Sequence, residues 1–169
     1  MKSRLDHLRR SRNALLAAML WTSPALAQAP APAPLELRLA DVARFAVFVD
    51  MGSIQWTGRT ANLRLLQAAE SGFTAGAEAF WGGWRHEVID CDARTISHAG
   101  FGSIRAGGQE GPVTGRQNPA AQIPPGSADD AAARVVCDGW KPFAGVPVAT
   151  SVEQAVSLAR PLIETGAEP

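Results

Sequence analysis

Cys91 and Cys137 are the only cysteines in this 169-residue chain, and their surroundings constrain the fold more than any other feature. Cys91 closes the run EVIDC, in which valine and isoleucine mark a strand, and Asp90 and Asp92 stand on either side of it. Strand side chains alternate between faces, so Cys91 shares a face with Ile89 while both aspartates point the other way. The sulfur can face a core and the carboxylates water. Cys137 falls in SADDAAARVVCDG, which reads as a short helix. Ser127 can cap its start, Asp130 stands where it can reach back, and Asp129 and Asp130 suit the positive helix end. Ala132, Val135 and Val136 form an apolar stripe, and Asp138-Gly139 supplies a stop. A bond between sulfurs 46 positions apart would pin this helix onto a sheet.

Whether they pair depends on compartment, and the first residues address that. Lys2, Arg4, Arg9, Arg10 and Arg12 make a basic n-region, followed by a short apolar run from Ala14 to Trp21 and then Pro24. Ala25-Leu26-Ala27 is a small-x-small cleavage signal before Gln28. That order is a secretory signal peptide over residues 1–27. The apolar run falls well short of the roughly 20 residues a membrane helix needs, and no membrane span is expected in the mature chain. Arg9-Arg10 leaves a twin-arginine route open beside the general one, although Ser11-Arg12-Asn13 lacks the bulky apolar residues expected after the pair. No cysteine lies near the cleavage point to carry a lipid anchor. The expected location is the periplasm or the cell surface, where two cysteines pair rather than remain buried thiols. The chain-entropy model gives a loop of this length about 4 kcal/mol of stabilisation.

Residues 28–34, QAPAPAP, form an Ala-Pro linker favouring extended polyproline II. One domain over residues 35–138 follows, then a C-terminal extension over 139–169. Leu35–Leu39 alternates cleanly, and Phe45–Val49 is a compact run closed by Asp50-Met51-Gly52. Ala61–Gln67, Trp84–Cys91 and Arg94–His98 are further strand candidates. Short connections without a crossover helix favour an antiparallel meander. The expected class is therefore α+β: an antiparallel sheet of about five to six strands, a short helix tethered to it by the disulfide, and a helical tail. Arg105–Gly126, rich in glycine, reads as a long loop. In the tail, Ser151 and Gln154 suggest a capped helix with Val152, Ala155, Val156 and Ala159 on one face. It covers the sheet or packs locally, or else serves a partner, and Pro161 is expected to end or kink it near Arg160.

Signal removal takes five basic residues and Asp6 from totals of 16 and 16, leaving 11 basic against 15 acidic, a net charge of −4. That balance argues against nucleic acid and anionic membranes, which need basic patches. The chain contains no GxSxG, no HExxH and no P-loop with its Lys-Ser/Thr, so neither enzymatic chemistry nor a cofactor is expected. Gly107, Gly108, Gly111 and Gly115 do not lead directly into a helix as a phosphate loop would, because Pro112 and further loop intervene. Glu87 and Asp90 fall on opposite strand faces and make no acid/base pair. His86, Asp90 and Asp92 lie close in sequence but without ligand spacing, and no metal site is expected. What remains is WGGW. Trp81 and Trp84 either present indoles to a protein partner or glycan, or fill the core beside the strand start with the glycines allowing close approach. The core reading is favoured.

The order FVFVD…SI, then EVIDCDAR, a Gly-rich loop and PPGSADDAAARVVC resembles the surface-adhesin protein E family. The matching positions are Asp50, Ser53 and Ile54; Asp90, Cys91 and Arg94; and Pro125, Gly126, Ser127 and Cys137. The resemblance spans residues 35–138, and the tail beyond Cys137 is long for the family. It implies an antiparallel sheet with a helix tethered by this disulfide, in a Gram-negative bacterium. It also implies a non-enzymatic binding module for extracellular or envelope proteins. The alternative is a structural periplasmic protein that binds an envelope component without any adhesin role.

Overall fold

The computed structural model describes residues 33–166. Ala25, Ala27 and Gln28, with most of the Ala-Pro linker, lie outside the described residues. Strands β1 (Leu37–Val42), β2 (Phe45–Asp50), β4 (Thr60–Ala69), β6 (Glu78–Asp90), β7 (Thr95–Arg105) and β8 (Ala121–Gln122) pair in that order, each antiparallel to the next. β3 (Gln55–Thr57) pairs with β4, and β5 (Thr74–Ala75) pairs with the start of β6. Eight strands among the described residues exceed the five to six expected. The additions are pieces of two or three residues, too short to carry a readable alternation.

Two helices lie on opposite faces. On face one, α1 (Ala128–Asp138) packs Ala132, Val135 and Val136 against Val47, Val49, Leu63, Leu65, Ile89 and Ile96. On face two, α2 (Val152–Thr165) packs Ala155, Val156 and Ala159 against Leu37, Phe48, Leu66, Trp84 and Ile104. Covering both faces explains why β2 reads as an unbroken apolar run, with Val47 and Val49 serving one core and Ala46 and Phe48 the other.

α1 begins and ends as its sequence dictates. Ser127 Oγ accepts the Asp130 N–H at 3.1 Å, and Gly139 closes the helix in the left-handed region at φ 67°. Cys137 in its last turn is bonded to Cys91, with Cα atoms 5.5 Å apart. In α2, Ser151 Oγ accepts the Gln154 N–H, as the tail sequence predicts. The helix nevertheless runs through Pro161 to Thr165. Pro161 deprives the Ser157 carbonyl of its partner, but both residues are exposed, so water can take that bond. Leu162 and Ile163 beyond it pack against the face-two core and reward continuation.

The Gly-rich segment is not a free loop. Thr114 and Phe101 exchange N–H···O bonds of 2.8 Å in both directions, the Gly111 N–H donates to Ser103 O at 2.7 Å, and the Asn118 N–H donates to His98 O at 2.9 Å. Residues 109–118 thus run as an irregular strap along the outer edge of β7 and satisfy backbone groups that would otherwise be open to other chains. Backbone hydrogen bonding needs no side-chain pattern, so the sequence carries little sign of the strap.

Candidate functional site

Each helix covers only part of its face, and the uncovered part of face one forms a groove. Its construction depends on two bulges. Trp81 is an extra residue between the pairs Phe80↔Arg105 and Gly82↔Ile104, and Ala99 is an extra residue between Glu87↔His98 and His86↔Gly100. Each bulge reverses the side-chain parity of its strand. Phe80 and Phe101 are thereby brought to the same face as Gly83, Arg85 and Glu87, while Trp81 packs with the face-two core.

Glycine is needed at both positions of the first bulge's edge. Gly82 has φ +143°, and a Cβ there would come within 1.9 Å of the Gln67 carbonyl oxygen. At Gly83 a Cβ would come within 2.1 Å of the Phe101 ring, which lies over the bare backbone. Phe45 and Phe73 complete the seat edge-to-face, centroids 5.7 Å apart and planes at 76°. The resulting apolar cavity is about 280 Å³ and includes no charged residue in its lining. A second cavity of about 380 Å³ adjoins it, sharing Gln67 and Phe101.

The second cavity is lined largely by polar and charged residues. Arg85 Nε donates to Glu87 Oε1 at 2.9 Å, and Arg85 Nη2 donates to Asp129 Oδ1 at 2.6 Å in the first turn of α1. The other Glu87 oxygen, Oε2, lies 2.6 Å from His98 Nδ1. Glu87 is 2% exposed. Burial pushes its carboxyl above the ordinary value, against the opposing pull of Arg85 and His98. Burial pulls the Arg85 guanidinium down, and Glu87 and Asp129 together more than restore it. Arg116 and Asn118 of the strap close this end of the groove.

No family model and no curated protein matches the chain. Among solved structures, crystal form II of Haemophilus influenzae protein E superposes with a TM-score of 0.50 at 14% identity, over 66% of this chain and 96% of that one. Protein E from non-typeable Haemophilus influenzae gives 0.45 at 14% identity, over 84% and 96%, and a further protein E structure gives 0.47 at 11%, over 63% and 86%. At this identity the likeness is one of fold.

Within that fold the residues singled out by sequence separate clearly. Trp84 is 3% exposed, donates its indole N–H to Glu110 Oε1 at 2.8 Å, and lies under the Arg64 guanidinium at 4.2 Å. Trp81 is half-buried against the same core. Neither indole lines the groove, whose lining includes the adjacent Gly82 and Gly83. Asp50, from the first family motif, is buried and binds Arg64 Nε at 2.7 Å, and Ser53 Oγ accepts the Arg64 N–H at 3.0 Å. These motif residues brace the corner where β2 hands over to β3. Asp90 caps the β6–β7 turn through the Asp92 and Ala93 N–H groups. Among the described residues no three His, Cys, Asp or Glu side chains converge to hold a metal. Sequence reasoning missed Phe73, Phe80, Phe101, His98 and Arg116 as a set. They come from four separate stretches and share a face only because of the bulges.

Proposed function

We propose that this chain is an exported, non-enzymatic binding module of the surface-adhesin E type. It engages a protein, extracellular or in the envelope, through the open groove on face one. The observation that carries this reading is the uncovered phenylalanine seat itself. Phe101 is 43% exposed, and the aromatic rings stand together beside a polar network, the mixed composition that recurs in protein-binding surfaces. The disulfide suits an oxidising compartment, and no helix among the described residues is long and apolar enough to cross a membrane. The non-enzymatic part rests on the ion network: both Glu87 oxygens are engaged, which suits holding a surface in shape better than moving protons.

A second reading, a structural periplasmic protein without an adhesin role, is favoured by the burial of Trp84. Protease shaving of intact cells against osmotic-shock release separates the two. Cleavage on intact cells, with an extracellular protein retained by the native module and lost by Phe101→Ala, is the expected result. Release by shock alone would remove the adhesin role and leave the envelope reading.

A further inference from the structure

We infer that the groove takes an extended peptide segment that places an apolar side chain on the phenylalanine seat and a carboxylate at the polar end. This rests on the reading of the groove as the module's binding surface. The dimensions suit a short segment. From β2 to β7 the groove crosses three strand intervals, about 14 Å, and from Gly83 to Glu87 it runs about 13 Å, the length of some four extended residues.

The choice of an acidic partner follows from which hydrogen-bonding groups are already engaged. Glu87 accepts at both oxygens, from Arg85 and at His98 Nδ1, and Asp129 Oδ1 is held by Arg85. These contacts engage both oxygens of the buried Glu87 carboxylate, and Asp129 does not line the cavity. Arg116, by contrast, is exposed and makes no ion pair among the described residues. Because His98 Nδ1 is committed to buried Glu87, Nε2 is the ring nitrogen left over for a ligand. Asn118 lines the same cavity. Arg116 therefore gives the polar end an exposed cation without an ion-pair partner among the described residues, and a carboxylate is the group that complements it. The charges facing His98 are Glu87 and Arg85 from β6, Asp129 from α1, and Arg116 from the strap. Arg85 is satisfied by Glu87 and Asp129, which leaves Arg116 as the charge available to a ligand.

The test uses the oxidised full mature domain and two dansyl-labelled peptides, Leu-Phe-Glu-Glu and Leu-Phe-Gln-Gln, followed by fluorescence anisotropy. The acidic peptide is expected to bind about fivefold more tightly than the neutral one. Arg116→Gln should shrink the preference. Phe101→Ala, an exposed position, should weaken both peptides alike. Equal binding of the two peptides would overturn the acidic-segment inference, while sensitivity to Phe101→Ala would still uphold the groove. Failure of both peptides to bind, or indifference to Phe101→Ala, would overturn the groove as well. Saturable binding of laurate without either peptide would overturn the peptide class in favour of a lipid.

Discussion

Glu87 is a carboxylate held under a sheet face by two donors, and its energetics follow from competition between burial and pairing. Burial wins, raising the folded carboxyl above its ordinary value of 4.5, and the same cause raises Asp41. The sign of the consequence is fixed. As pH rises the unfolded chain loses its proton first, so the stability associated with the protonated group is full below 4.5 and is lost as pH climbs through the higher folded value. Glu87→Gln keeps an oxygen for Arg85 and removes the titration. Urea unfolding midpoints measured from about pH 4 to about pH 7 should fall less steeply in the variant than in the native protein. Parallel curves would mean that Arg85 and His98 cancel the burial and that Glu87 is not a source of the slope. The residue scale also shows where the sequence misleads. Trp84 is conspicuous in sequence, yet it is sheltered by Arg64 and bonded to Glu110. His98 is inconspicuous and shares the groove face with Phe101 only because Ala99 bulges between them.

At the scale of elements, α1 is held at both ends by different means. Its last turn is bonded to Cys91, and its first turn is tied to the sheet through Arg85 and Asp129 at 2.6 Å. Replacing both cysteines by serine should cost about 4 kcal/mol, because the unfolded chain regains the freedom of a loop spanning 46 positions. Denaturant unfolding checks this, with far-UV dichroism expected to stay close to native, since the apolar stripe and the ionic tie both remain. A cost below about 1 kcal/mol would show that the packing on face one holds α1 without the bond. The disulfide, the caps of both helices and the strands through Phe45–Val49 and Ala61–Gln67 were legible because each is a local pattern with a short period. β6 through Gly82-Gly83 and β7 through Gly100–Gly102 were not. There glycine interrupts the side-chain alternation that marks a strand, yet it serves to seat Phe101 and to let Val113 approach Gly100 and Gly102. The continuation of α2 past Pro161 was equally hidden, because it depends on a core contributed by distant strands.

For the whole molecule, the two helices divide the work of covering one sheet. α1 closes part of face one and leaves the groove, and α2 closes the part of face two occupied by Leu37, Phe48, Leu66, Trp84 and Ile104. The sheet is continuous through β2 and β4, so the two cores share a backbone and should unfold together. The extension after Cys137 is therefore integral to the fold. Truncation before Ser151 would expose those five apolar side chains at once, and burying a residue of this kind is worth about 1.5–3 kcal/mol, a sum comparable with the stability of a whole domain. The truncated domain should bind a hydrophobic dye, lose the thermal cooperativity of the native protein and shift Trp84 emission to longer wavelength, even with Cys91–Cys137 intact. A truncated domain that unfolds sharply and keeps the native emission would mean that face two closes without α2. The helix would then be free to serve a partner, and the binding surface of the module would have to be sought on that face as well as in the groove.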